Sequence, residues 1–139
     1  MAEKIIATSG YFDPLHIGHI ELLQKAKALG GKLVVIVNND KQTILKKGKE
    51  FMPFKERLEI IKAIKYVDEV FPSIDEDQTV CKSLEAIKPH IFAKGGDRFS
   101  HEIPEAEICR KHNIKIVHGL GEKIQSSSEL AKKAEGLSK

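Results

Sequence analysis

Two histidines three residues apart, His16 and His19, are the residues of this chain best suited by type and spacing to do chemistry. They follow a turn that begins at Gly10, and a short apolar segment precedes that turn. Apolar residues after His19 recur at the spacing of a helix that lies on a sheet. A helix N-terminus presents unpaired N–H groups and a positive dipole end, so it binds phosphates, and imidazole rings add donors. The pattern indicates a phosphate site between a strand and a helix. Histidines that only cap the turn are the alternative.

The rest of the chain alternates between strand and helix patterns, which is typical of a parallel sheet. We predict strands at residues 4–8, 33–37, 67–71, 90–93 and 114–118, and helices at 19–29, 54–65, 77–87, 104–112 and 126–135. The predicted fold class is α/β, a Rossmann-like doubly wound sheet of five parallel strands with helices on both faces. Its ligand crevice should lie at the carboxyl ends of the strands. A length of 139 residues favours a single domain, 1–139.

Composition restricts the class of protein. The chain is 41% hydrophobic and 31% charged, and no apolar run approaches the roughly 20 residues that cross a bilayer, so we expect no membrane association. The net charge is only +3, and the lysines are interspersed with acidic residues, so we expect no nucleic-acid partner. No signal-peptide pattern is present at the start, which favours a cytoplasmic location. The isolated Cys81 and Cys109 are interpreted as reduced packing residues.

The segment His16-Ile17-Gly18-His19, preceded by Tyr11-Phe12-Asp13, resembles the His-x-Gly-His signature of the cytidylyltransferase-like nucleotidyltransferases. It is also similar to the signature of class I aminoacyl-tRNA synthetases, which are far longer than this chain. The resemblance to the first family implies that His16 and His19 are catalytic. It also implies nucleotide contacts from five neighbours, which are Gly10, Tyr11, Phe12, Asp13 and Gly18.

In that family, a lysine after the second strand and an arginine in the following helix hold phosphates. Lys46 or Lys47, and Arg57, match those positions, and the choice between the two lysines stays open. Cations have a physical purpose there, because a triphosphate and a phosphorylated acceptor repel each other. The alternatives are a solvated lysine cluster and an Arg57 that lies on the surface and pairs along its helix.

Two later segments also resemble nucleotide-binding motifs of the family. The Lys94-Gly95-Gly96-Asp97 segment is similar to that of heptose-phosphate adenylyltransferases, and its glycines let a backbone approach a ligand closely. The serines at 126–128 align with the Ser-Thr-Thr of the family's last motif, although a serine that opens a helix is also an ordinary N-cap. The family's arginine before that motif is missing. The residues implied to bind nucleotide are Lys94, Gly95, Asp97, Gln125, Ser126, Ser127 and Ser128.

The resemblance implies transfer of a nucleoside monophosphate from CTP or ATP to a phosphorylated alcohol or sugar, with release of pyrophosphate. Glycerol 3-phosphate and heptose 1-phosphate are examples of such acceptors. The chain shows no compact carboxylate cage, so Mg²⁺ is expected to arrive with the triphosphate and no metal ligand is assigned. The resemblance also implies a twofold homodimer. The choice of donor base stays open, and a noncatalytic nucleotide-binding or regulatory module of the same fold is the alternative function.

Overall fold

The computed structural model describes residues 4–117, apart from Pro14, Glu50, the side chain of Lys47 and residues 96–102. Strands and helices alternate along this part of the chain. The strands are β1 (Ile5–Gly10), β2 (Lys32–Val37), β3 (Glu69–Pro72), β4 (Ile91–Ala93) and β5 (Lys115–Val117). The helices are α1 (Ile17–Lys27), α2 (Asp40–Lys47), α3 (Phe54–Lys62), α4 (Cys81–Ile87) and α5 (Ala106–Lys111).

The five strands form one parallel sheet in the order β3-β2-β1-β4-β5. β1 is central, and its Ala7 pairs with Val34 on one side and Phe92 on the other. The strand order reverses direction between β1 and β4, and open α/β sheets bind their ligands at such a point, beyond the carboxyl ends of the strands. The predicted doubly wound α/β fold is confirmed, and the point where its strand order reverses lies between β1 and β4.

Alternate residues of the strands contribute to two hydrophobic cores, one on each face of the sheet. On one face Ile6 packs with Leu23 of α1 and Ile61 of α3. On the other face Ala7 packs with Leu84 of α4 and Cys109 of α5. The helices therefore cover both faces, as predicted. Both cysteines are free thiols, and Cys109 is buried in the second core.

The helix α2 is not among the predicted helices, because the residues between β2 and α3 were interpreted as a loop with a flexible lysine-rich segment at 46–49. Its start is capped by Asn39, whose side chain accepts a hydrogen bond from the Gln42 N–H (2.9 Å) while the Gln42 side chain accepts one from the Asn39 N–H (3.1 Å). Its end is set by Gly48, which has a left-handed φ of 89° that glycine adopts readily. Both ends of α2 are thus set by local capping residues, and a prediction based on the spacing of apolar residues does not detect them.

Other element boundaries differ from the prediction by a few residues. α1 begins at Ile17 instead of residue 19, so His19 lies inside its first turn. α4 begins at Cys81 instead of residue 77, because the buried Asp75 carboxylate accepts hydrogen bonds from the N–H groups of Lys82 and Ser83 at its start. The predicted helix 126–135 lies outside the described residues. Among the helices that the structure describes, none is long and apolar enough to cross a membrane.

Candidate active site

The two histidines meet at the start of α1, just beyond the carboxyl end of β1. Their rings are stacked, with centroids 3.9 Å apart and an interplanar angle of 27°. His16 Nδ1 accepts a hydrogen bond from the Gly18 N–H (3.1 Å), and His19 Nδ1 accepts one from the His16 N–H (3.1 Å). Both histidines therefore do cap the helix. Because each Nδ1 is an acceptor, the neutral rings carry their protons on Nε2, a donor suited to phosphate oxygens. Capping thus uses the Nδ1 atoms and is compatible with phosphate binding through Nε2.

Phe12 supports the histidine pair from inside the protein. Its ring is 2% exposed and lies edge-on to the His19 ring, with centroids 4.9 Å apart and an angle of 69°. Its φ of 52° is unusual for a bulky residue. A Cβ on Gly10 would lie 2.8 Å from Phe12 Cζ, so the lack of a side chain at Gly10 leaves room for that ring. Gly10 and Phe12, both expected to bind nucleotide, shape the turn that carries the histidines.

Asp13 binds backbone on a distant part of the chain. Its two carboxylate oxygens accept hydrogen bonds from the N–H groups of Phe51 (2.7 Å) and Met52 (2.6 Å), and the residue is fully buried. Asp13 therefore ties the β1–α1 turn to the segment before α3. Over the described ranges, no group of three or more His, Cys, Asp or Glu residues could hold a metal ion.

Arg57 of α3 is also in the interior, with 1% of the residue exposed. Its Nε donates to the Met52 carbonyl (3.0 Å), and its Nη1 donates to the carbonyls of Tyr11 (2.8 Å) and Asn38 (2.6 Å). Its Nη2 donates to the Asp40 carboxylate (2.7 Å). The alternative of a surface Arg57 paired along its helix is therefore wrong. The contact of Arg57 with a phosphate stays a prediction.

Of the two candidate lysines, Lys46 is the one whose side chain the structure describes. It lies in the last turn of α2, and its Nζ is 4.4 Å from the centroid of the Tyr11 ring. Burial raises the pKa of the Tyr11 phenol, so this group stays neutral at pH 7. Lys47 is the last residue of α2. Lys46 is thus brought to the residue that directly follows β1.

Lys94 and Gly95 follow β4, on the opposite side of β1 from β2 and α2. The paired residues Ala7 and Phe92 place Lys94 close to the end of β1, and the Thr8 hydroxyl donates to the Ala93 carbonyl (2.8 Å) across the same two strands. Lys94 Nζ lies 5.5 Å from the Phe92 ring centroid. Cationic side chains therefore follow the strands on both sides of β1.

The remaining predicted nucleotide-binding residues lie outside the described part of the chain. They are Asp97, Gln125, Ser126, Ser127 and Ser128.

Sequence reasoning missed the residues that anchor α2 beside the site. The Asn39 amide donates to the carbonyls of Ser73 (3.1 Å) and Asp75 (2.9 Å). The Gln42 amide donates to the carbonyls of Asp77 (2.8 Å) and Thr79 (2.7 Å). The spacing of Asn39 and Gln42 is that of a capping box, which was the available signal.

Comparison with known proteins identifies the family. The profile described as cytidylyltransferase-like matches residues 7–129. The chain belongs to this family of nucleotidyltransferases. The family predicted from His16, His19 and the residues before them is therefore confirmed, and so is the prediction of a nucleotidyltransferase.

Two curated relatives and one solved structure show how the family members vary. The bifunctional protein HldE of Pectobacterium carotovorum is 40% identical over 107 residues, which are 76% of this chain and 22% of that protein. The FAD synthase of Thermococcus kodakarensis is 40% identical over 111 residues, 78% of this chain and 73% of that protein. A lipopolysaccharide core biosynthesis protein from Thermoplasma volcanium has a similar structure, with a TM-score of 0.73 and 30% sequence identity. The match covers 86% of this chain and 98% of that one. The chain thus spans only about a fifth of the bifunctional relative.

Proposed function

We propose that this nucleotidyltransferase moves an adenylyl group from ATP to the phosphate of a small phosphorylated molecule and releases pyrophosphate. The observation that carries the proposal is the stacked His16–His19 pair at the start of α1, with both Nδ1 atoms engaged by backbone N–H groups. ATP is favoured over CTP by the relatives. FAD, the product named for one of them, contains an adenylyl group, and the Lys94-Gly95-Gly96-Asp97 segment resembles that of heptose-phosphate adenylyltransferases.

The proposed reaction needs no general base. A phosphate monoester has a second pKa of about 6, so at neutral pH its oxygen is already a nucleophile. That oxygen attacks the α-phosphorus of ATP, and a new P–O bond forms. The bond between the α-phosphorus and the oxygen that bridges to the β-phosphorus breaks, and its electron pair leaves with pyrophosphate. The enzyme therefore has to align the reactants and stabilise negative charge.

The described residues suit those two tasks. The Nε2–H groups of His16 and His19 donate to phosphate oxygens, and the positive end of the α1 dipole adds to their effect. Lys46 and Lys94, on the two sides of β1, draw the two anionic substrates together. Mg²⁺ enters as part of the substrate, Mg–ATP, because a triphosphate supplies the oxygen ligands that this ion prefers.

The acceptor is proposed to be a phosphate monoester of a sugar or a flavin. One relative is named as an FAD synthase, and the similar solved structure is named for lipopolysaccharide core biosynthesis, which is sugar chemistry. Both acceptors present the same dianionic phosphate to the site. The difference between them lies in the group beyond the phosphate.

A matrix of donors and acceptors tests the proposal. ATP and CTP are each combined with FMN, heptose 1-phosphate and glycerol 3-phosphate in the presence of Mg²⁺, and pyrophosphate release and product mass are measured. We expect one ATP combination to dominate, with kcat/KM above that of CTP by on the order of 10³ or more, because a site that hydrogen-bonds a base rejects the wrong exocyclic group. Equal or faster turnover with CTP would refute the choice of donor.

Two histidine variants control this experiment. His19→Ala should abolish most of the pyrophosphate release. His90→Asn should not, because His90 lies at the opposite end of the sheet, where its Nδ1 accepts a hydrogen bond from the Ile5 N–H at the start of β1. Equal loss in both variants would indicate a general effect on folding.

A further inference from the structure

The buried guanidinium of Arg57 joins three separate loops around the site. Tyr11 follows β1, Asn38 follows β2 and Met52 precedes α3, and the carbonyl of each accepts a hydrogen bond from Arg57. A buried charge is costly unless it is paired and hydrogen-bonded, and Asp40 supplies the pairing charge. Four of the five N–H groups of the side chain therefore donate hydrogen bonds within the protein.

Asp13 provides a second connection between the turn after β1 and the segment before α3. The Phe51 and Met52 N–H groups donate to its carboxylate, while the Met52 carbonyl accepts from Arg57. The turn after β1 is thus held on both sides of Phe12, at the carbonyl of Tyr11 and at the side chain of Asp13.

Phe12 is the strained residue between these two anchors. A φ of 52° on a bulky residue persists only where the surroundings hold it. The Tyr11 carbonyl belongs to the peptide that leads into Phe12, and Arg57 Nη1 holds this oxygen at 2.8 Å. The ring that this backbone directs inward packs against the His19 ring in a T-shaped arrangement, with a centroid distance of 4.9 Å.

We propose that Arg57 is a positioning residue of the active site, which acts through the Tyr11 carbonyl and the Phe12 ring to orient His19. A shorter or non-planar side chain cannot reach three carbonyls and a carboxylate at once. Without the Tyr11 contact, Phe12 relaxes toward an ordinary negative φ, its ring turns, and the stacked histidine pair loses its support. The effect on turnover rests on the proposed function, whereas the effect on His19 does not.

The test compares Arg57→Lys with the matched control Arg110→Lys, a substitution at an exposed arginine of α5. Histidine ring resonances are recorded by ¹H–¹³C NMR in the protein without substrates, and thermal unfolding shows whether each variant is folded. In Arg57→Lys we expect the His16 and His19 signals to shift or broaden while those of His90 and His112 stay in place. In Arg110→Lys all four should be unchanged.

Kinetics separate positioning from direct phosphate binding. A positioning role predicts that kcat of Arg57→Lys falls by about tenfold to a hundredfold with KM for ATP changed by less than about twofold. A raised KM with unchanged kcat and unchanged His19 signals would overturn the proposal in favour of a phosphate contact.

Phe12→Leu keeps the test decisive if Arg57→Lys does not fold. It removes the ring that contacts His19 and leaves the Arg57 hydrogen bonds, so we expect shifted His19 signals and reduced kcat here as well. Unchanged His19 signals in Phe12→Leu would refute the link. If these signals shift in the variants but the parent protein makes no pyrophosphate with any acceptor, the proposed function fails and the positioning link stands.

Discussion

His16 combines an observed capping role with a proposed catalytic one, and a single substitution can separate them. Its Nδ1 caps α1, and its Nε2 is the proposed phosphate donor. Asparagine is a favourable N-cap but has no atom equivalent to Nε2. We therefore expect His16→Asn to retain the stability of the parent and to lose about a hundredfold in kcat, the usual effect of removing one transition-state donor.

Chemical unfolding and steady-state kinetics check this expectation. His16→Ala is the companion variant, because it lacks both the cap and the donor, and it should be about 1 kcal/mol less stable than His16→Asn. Normal turnover in His16→Asn would show that the histidine only caps the helix.

Lys46 is the lysine that we expect to bind the triphosphate. The structure places its Nζ over the Tyr11 ring, next to the end of β1. Lys46→Ala should raise KM for ATP by about tenfold, because a cation that contacts phosphate in the bound state contributes about 1.4 kcal/mol or more. Lys49→Ala, at an exposed position just beyond α2, should leave KM unchanged. Equal KM values in the parent and both variants would show that this segment is only a solvated surface and does not bind the triphosphate.

At the scale of elements, Asp68 joins α1 and β2 just before β3. Its carboxylate accepts hydrogen bonds from Lys27 Nζ (2.6 Å) and from the Leu33 N–H (2.7 Å). These two hydrogen bonds lower the pKa of Asp68 below its usual 3.8, and the one from Lys27 has the larger effect. A lowered pKa in the folded state means that the stabilisation is present above pH 3.8 and is lost as the pH falls through the folded-state value.

Asp68→Asn should therefore be less stable than the parent near pH 7, and the difference should shrink as the pH falls below 4. Urea unfolding at a series of pH values measures both. Glu85→Gln, which removes an exposed carboxylate of α4, is the control and should give a small difference at every pH. A difference for Asp68→Asn that does not depend on pH would contradict the role of its charge.

Gly31 allows the chain between α1 and β2 to pass close to the backbone at the start of β1. A Cβ at this position would lie 2.2 Å from the Lys4 carbonyl oxygen, which is backbone and cannot move away cheaply. We expect Gly31→Ala to destabilise the protein by about 3 kcal/mol, the upper end for an overpacked site. Gly48→Ala meets open space and only the left-handed φ, so it should cost about 1–2 kcal/mol. Thermal unfolding that ranked the two variants equally would contradict the steric argument.

The sheet could be predicted from sequence most clearly at β2, because this strand is buried on both faces and its residues 33–37 form an apolar run. The helix α2 could not, since Ile44 (48% exposed) and Leu45 (52%) do not form a buried stripe. Its stability comes from the caps at Asn39 and Gly48 and from amide contacts with a distant loop.

The site was predictable to a different extent for different residues. His16 and His19 belong to a local motif, so their spacing was sufficient to predict that both lie together at the start of a helix. The environment of Arg57 was not predictable, because most of its partners are backbone carbonyl groups, those of Tyr11, Asn38 and Met52. The sequence does not show which backbone acceptors a side chain will meet. A burial of 1% for a helical arginine is a property of the assembled fold.

For the whole molecule, the strand order explains how motifs that are separate in sequence can act on one ligand. β1 is flanked by β2 and β4, so the His16–His19 turn lies between the segments that bear Lys46 and Lys94. This arrangement concentrates positive charge and N–H donors at one edge of the sheet, where two phosphorylated substrates can be held together. The homodimer and the single domain over residues 1–139 stay predictions.

The most direct test of adenylyl transfer is ³¹P NMR of the protein with ATP, Mg²⁺ and either FMN or heptose 1-phosphate. Attack at the α-phosphorus predicts that the three ATP signals disappear together with the acceptor monoester signal. Pyrophosphate and a pair of coupled signals from a new phosphoric anhydride should replace them in equal amounts. Appearance of ADP in place of pyrophosphate would show attack at the γ-phosphorus, and unchanged ATP with both acceptors would show no transfer at all. Either result would contradict the proposed reaction.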